Sequence, residues 1–203
     1  MKKLPIEFYD RTDVVLIAKE LLGKILVTKF DGIITSGRIV ETEAYVALVD
    51  MASHSRNGIR TQRNEHMYEA AGISYVYICY GMHHLFNVVT NKKNIPDAVL
   101  IRALEPLTGI EDMLLRTGKK KPDHTLTKGP GNAGKAMGID KNHSGLNLLG
   151  KNIYIADDGF RYNENEIGAS ARIGVEGAGM PSAGLPYRFY VKGNKFVSGR
   201  PNK

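Results

Sequence analysis

Tryptophan is absent from this 203-residue chain, and cysteine occurs once. A lone thiol excludes an intrachain disulfide, and with it the disulfide-stapled folds of small secreted proteins. Cys79 sits in the apolar run Tyr75-Val-Tyr-Ile-Cys79, where it reads as a small buried filler rather than a nucleophile. No stretch approaches the roughly 20 apolar residues that span a bilayer. Met1-Lys-Lys3 would suit the start of a signal peptide, but Pro5, Glu7 and Asp10 follow with no apolar segment behind them. None of the histidines has a zinc-type spacing with a partner, so no metal site is expected. A P-loop, a dinucleotide fingerprint and a Gly-x-Ser-x-Gly elbow are also missing, and no cofactor is expected. These absences predict a soluble, cytoplasmic protein with no membrane partner.

What is present is an ordinary globular composition, 42% hydrophobic and 24% charged. The length fits one domain with a substantial core, and no repeat, low-complexity tract or linker divides it. Lys plus Arg outnumber Asp plus Glu by 28 to 21, for a net charge of +7. That excess suits a polyanionic partner, nucleic acid or an anionic surface, although a basic balance alone does not require one.

Hydrophobic spacing predicts a helix after a cap at Asp13, with Val14, Ile17, Ala18 and Leu21 on one face and Gly23 as terminator. A hairpin follows: a strand over 24–30, the turn Asp31-Gly32, and a return over 33–45. Residues 46–72 have no sustained period, and a loop that long inside a domain is usually functional or disordered. Strands are expected over 75–79, 85–90, 98–104 (stopped by Glu105-Pro106), 153–156, 172–175 and 188–191, with a short one at Phe196-Val197. Helices are expected over 110–116 and from Gly129-Pro130 to about Met137. Gly129-Pro-Gly-Asn132 suits either a phosphate or a plain capping turn. The predicted fold is α+β, a single domain with a mixed, largely antiparallel curved sheet, flanking helices and a protruding hairpin.

Chemistry concentrates in Arg38-Ile-Val-Glu-Thr-Glu-Ala-Tyr45. On a strand, alternation puts Glu41, Glu43 and Tyr45 on one face and Val40, Thr42 and Ala44 on the other. Two acids so spaced lie roughly 6.5–7 Å apart, which would also suit an inverting sugar hydrolase. The plainer reading is that Glu41 pairs with an arginine and Glu43 meets solvent. Arg102, inside the apolar strand Ala98-Val-Leu-Ile-Arg-Ala-Leu104, needs an anion, and Glu41 and Glu43 are candidates. Asn87 in Leu85-Phe-Asn-Val-Val89 suits either base-edge recognition or a cross-strand hydrogen bond. Tyr80-Gly-Met-His83 makes a hairpin tip that either wedges into a base stack or folds back on its own core.

Taken together, these segments resemble the alkyladenine (3-methyladenine) DNA glycosylases of the mammalian type. The resemblance runs through Gly37–Tyr45, Ala52–Arg56, Thr61–Asn64, Tyr75–Met82, Leu100–Leu107, Ala171–Val175 and Tyr187–Val191, in order and over nearly the whole chain. It implies a monofunctional enzyme that flips damaged purines, such as 3-methyladenine, 7-methylguanine, hypoxanthine or ethenoadenine, out of double-stranded DNA and removes them as a monomer. By that resemblance Glu43 is the general base and Arg102 lies near the attacking water. Tyr45, His54 and Tyr77 sandwich the extruded base, and Asn87 crowds the 2-amino group of normal guanine. Tyr80 fills the vacated stack, with Met82 and His83 at the wedge; the mammalian pattern has tyrosine where His83 stands. Two other readings explain less. A non-catalytic lesion-recognition protein leaves Glu43 without a role, and a sugar hydrolase leaves the basic excess and the hairpin unexplained.

Overall fold

A computed structural model describes residues 1–199 of the chain. Its frame is one nine-stranded sheet in which every ladder is antiparallel. The strands are β1 (Lys2–Lys3), β2 (Ile25–Phe30), β3 (Ile33–Tyr45), β4 (Ser74–Cys79), β5 (His83–Thr90), β6 (Asp97–Thr108), β7 (Ile153–Asp157), β8 (Ile167–Ser170) and β9 (Arg188–Val191). The path runs β1-β7-β2-β3-β6-β5-β4, and β9 joins β3 to β8. Four helices accompany the sheet: α1 (Ile6–Tyr9), α2 (Val14–Glu20), α3 (Ile110–Thr117) and α4 (Pro130–Ala136). The α+β class expected from sequence is what the chain adopts.

Local chemistry accounts for the boundaries. The Asp13 carboxylate accepts the Leu16 N–H at 2.8 Å and starts α2. Asp31 and Gly32 both take positive φ, 51° and 80°, the conformation a two-residue hairpin between right-twisted strands demands. One face of the sheet packs on the helices through Ile39, Ala44, Val76, Phe86, Val88, Val99, Ile101 and Leu104 against Ile17, Leu21, Met113, Ala133 and Met137. Helix α4 lies so close to β5 that a Cβ on Gly134 would stand 2.2 Å from the His84 carbonyl oxygen.

Long strand β3 changes partners along one edge. Its first half pairs with β2 and its second half, Glu41–Glu43, with β9, while β6 runs along the other edge. The backbone carrying both acids is therefore held from two sides.

Four expectations from sequence fail. Strand β6 continues through Pro106 to Thr108, because a register shift opposite Gly37 accommodates the residue that lacks an N–H. Residues 172–175 form no strand; the strand before them is Ile167–Ser170, and Ile173 gives its N–H to a carboxylate instead of a ladder. Phe196-Val197 forms a turn, with the Val197 N–H on the Asn194 carbonyl. Val40 does not share a face with Ala44: the ladder shifts between Ile39 and Glu41, and Val40 joins a separate small cluster with Ala103, Tyr190, Val191 and Val197.

Candidate active site

The face of the sheet opposite the helices carries a cavity of about 400 Å³, within the range of small-molecule pockets. Strand alternation builds it. Tyr75, Tyr77 and Cys79 come from β4, Leu85 and Asn87 from β5, and Ala98, Leu100 and Arg102 from β6, each two residues after the last. The long loop after β3 adds Ser53, His54 and Arg63, and the segment after β8 adds Ile173 to Val175. Tyr45 closes one side and Tyr80 stands at the mouth. Cys79 thus lines the cavity half-buried and is not the buried core filler expected from sequence.

Glu43 is fully buried and bonded to three lining residues. The Tyr45 hydroxyl donates to its Oε2 at 2.8 Å, the Ile173 N–H to its Oε1 at 2.8 Å, and an Arg102 Nη1 stands 3.1 Å from the same Oε1. The carboxylate therefore lies directly beneath the cavity wall, covered by those neighbours. Burial, followed by the Glu43 charge, pushes the Tyr45 phenol well up, so its proton stays on and points at the carboxylate. Burial works against the Arg102 charge, but Glu43 and Glu41 outweigh it and raise its pKa.

Glu41 has a different setting. Its carboxylate accepts from Arg102 Nε at 3.0 Å, Arg188 Nε at 2.7 Å, and the Ser198 hydroxyl and N–H at 2.9 and 2.7 Å. Fully buried and saturated, it has no part in the cavity surface. This removes the paired-carboxylate geometry of a sugar hydrolase and gives Arg102 both of the anions its strand position calls for.

The cavity walls are aromatic. His54 and Tyr77 meet edge to face at 4.5 Å between centroids, and Tyr75 stacks on Tyr77 at 5.6 Å. His54 Nδ1 shares a 2.8 Å hydrogen bond with the Tyr75 hydroxyl. Burial, then Arg63 and Arg56, lowers the His54 pKa to about 4, so the ring is neutral at physiological pH. Asn87 donates both amide hydrogens to the Tyr75 and Leu85 carbonyls, at 3.1 and 3.2 Å, which fixes its side chain on the cavity floor.

At the tip of the β4–β5 hairpin, Tyr80 and Gly81 both take positive φ. Tyr80 is 90% exposed and Met82 70%. His83 behaves differently: its ring lies against α4, where a Cβ on Gly131 would stand 2.7 Å from its Nδ1. Seven expected site residues, Glu43, Arg102, Tyr45, His54, Tyr77, Asn87 and Tyr80, thus converge on one cavity, Met82 shares the exposed tip, and His83 lies beside the helix. Sequence reading did not single out Ile173 as a partner of Glu43, Tyr75 as a partner of His54, or Ser198. Ile173 and Tyr75 lay inside segments that carried the resemblance, whereas nothing near Ser198 marked it.

Such a site, on a basic protein, has the shape and lining that suit a flat aromatic ligand beside an arginine, with a carboxylate beneath the wall. A sequence model of the methylpurine-DNA glycosylase family matches residues 7–195. A Clostridium perfringens (strain 13 / Type A) protein is 42% identical over 200 residues, 95% of this chain and 97% of its own. A Desulfitobacterium hafniense protein is 43% identical over 206 residues, 98% and 99% of the two chains. One from Chlamydia felis is 44% identical over 190 residues, 93% and 95%. All three bear the provisional name 3-methyladenine DNA glycosylase. The chain belongs to the methylpurine-DNA glycosylase family and is a DNA-repair glycosylase. These relatives are bacterial, and the mammalian qualifier of the resemblance is not supported. Among the described residues no helix is long and apolar enough to cross a membrane.

Proposed function

We propose that the protein, acting as a one-domain monomer, flips alkylated or deaminated purines out of duplex DNA and hydrolyses their N-glycosidic bond, leaving an abasic site. The observation that carries this reading is the Glu43 carboxylate bonded to Tyr45, Arg102 and Ile173 at the wall of an aromatic cavity.

A base inside a duplex is out of reach, so it must be extruded at a cost of a few kcal/mol, least for a damaged pair. Tyr80, exposed at the hairpin tip, takes its place in the stack. The extruded purine enters between Tyr45, His54 and Tyr77. A purine methylated at N3 or N7 is a cation, and ring faces attract it through their quadrupole, while neutral lesions depend on shape and hydrogen bonds; a neutral His54 adds no opposing charge. Asn87, held on the cavity floor by its two hydrogen bonds, crowds the 2-amino group of normal guanine in this reading and so disfavours it.

Bond cleavage leaves an oxocarbenium-like sugar, which the buried charge of Glu43 stabilises in a low-dielectric setting. A water that displaces one of the donors on Glu43, the Tyr45 hydroxyl or the Ile173 N–H, can pass its proton to the carboxylate and attack the sugar carbon. Arg102 orients that water and the nearby phosphate. Among the described residues no lysine lines the cavity, so the reaction is expected to end at the abasic site without strand cleavage.

The test uses duplexes that each carry one 7-methylguanine, 3-methyladenine, hypoxanthine or ethenoadenine. After incubation, hot alkali is expected to break the strand at the lesion, while samples without alkali stay intact. Breakage after alkali no greater than in enzyme-free controls, which show the alkali lability of the methylated purines themselves, would reject the glycosylase reading; breaks before alkali would reject the monofunctional one.

A further inference from the structure

We propose that Ser198 and Glu41 are positioning residues that clamp the Arg102 guanidinium against Glu43; the proposal rests on the glycosylase reading above. Each guanidinium nitrogen of Arg102 has its own partner. Nε reaches Glu41 at 3.0 Å, one Nη reaches Glu43 at 3.1 Å, and the other reaches the Ser198 hydroxyl at 3.1 Å. Three partners in three directions fix both the position and the plane of the fork.

Ser198 is the keystone of the arrangement. Its hydroxyl accepts from Arg102 and donates to Glu41, its N–H donates to Glu41, and its carbonyl accepts from Arg188 Nη2 at 2.5 Å. One residue near the end of the described chain therefore touches every charged member of the cluster except Glu43. The other face of the cluster is closed by Arg188, which also donates to the Ser170 hydroxyl at 3.0 Å. None of these groups lines the cavity except Arg102. A misplaced cavity group costs rate more than it costs binding, because the chemical step needs near-attack geometry and the DNA contacts do not.

The experiment compares wild type with Ser198→Ala, Ser198→Thr and Glu41→Gln. Single-turnover release of methylated purines is measured from duplex DNA treated with a methylating agent, and affinity is measured on a duplex carrying an abasic-site analogue. Ser198→Ala, which keeps both main-chain bonds, is expected to fold normally, to release bases at least about tenfold more slowly and to bind the analogue within about twofold of wild type. Ser198→Thr, which restores a hydroxyl, recovers most of the rate. Glu41→Gln has the larger effect, and its melting temperature reports any loss of fold. Wild-type release by Ser198→Ala overturns the clamp alone, as does a parallel loss of rate and affinity that threonine does not rescue. A wild-type protein that releases no methylated purine overturns the glycosylase reading, and the clamp with it.

Discussion

Glu41 and Glu43 are chemically identical side chains two residues apart on one strand, and their partners give them different work. Glu41 is spent on two arginines and Ser198; Glu43 is held beneath the cavity by donors that line it. His54 yields a prediction at the same scale. Its folded pKa, about 4, lies below the ordinary histidine value of 6.5. Between these values the unfolded chain binds a proton that the folded one does not, so stability from this residue falls as pH drops from about 6.5 toward 4. A His54→Asn variant should therefore lose less melting temperature than wild type over that window. Parallel melting curves from pH 7.5 to 4.5 would contradict a neutral buried ring. Tyr80 yields another. With 90% of it exposed, Tyr80→Ala should melt within a degree or two of wild type but bind lesion duplex about tenfold more weakly, because stacking is worth roughly 1–3 kcal/mol per base. Unchanged affinity in a fluorescence titration would remove the wedge.

Elements position these residues through close approach. Gly134 lets α4 rest on β5, with its missing Cβ only 2.2 Å from a backbone oxygen. Gly134→Ala should thus cost about 1–3 kcal/mol in denaturant unfolding, as overpacking does. Gly131→Ala meets the His83 side chain, first its ring, rather than backbone and should cost less; equal losses would contradict the rigid helix–strand contact. Much of this layer was legible in sequence. The cap at Asp13, the Asp31-Gly32 turn and the β4–β5 hairpin carry their chemistry locally, within a few residues. The site strands were legible as strands, and alternation puts Tyr75 with Tyr77, but the register that sets Asn87 and Arg102 on the same face comes from pairing between strands and not from local pattern. What stayed hidden depends on partners far along the chain. The irregularity that turns Val40 out of register arises where β3 exchanges β2 for β9. The β-branched pair at Ile173 and Val175 reads as strand, yet the Ile173 N–H goes to an acid 130 residues away. Ser198 meets Glu41 across 157 residues, and no local pattern encodes such a contact.

For the whole molecule, a net charge of +7 is expected to supply the sequence-independent attraction to phosphate that would precede lesion recognition in the proposed reaction. Binding to undamaged duplex should weaken by at least about tenfold between 50 and 200 mM salt, as released counterions require, and a salt-insensitive affinity would show that charge does not drive the encounter. In the proposed reaction the cavity, by contrast, selects the lesion through rings and one fixed amide rather than through net charge. Glu43→Gln, assayed on a duplex with a single 3-methyladenine or 7-methylguanine, isolates the role of the buried carboxylate. The substitution keeps the shape and the hydrogen-bond reach while removing the charge. The predicted result is lesion-duplex affinity within about threefold of wild type, with single-turnover base release reduced by at least about 100-fold. Base release by Glu43→Gln at the wild-type rate would contradict it.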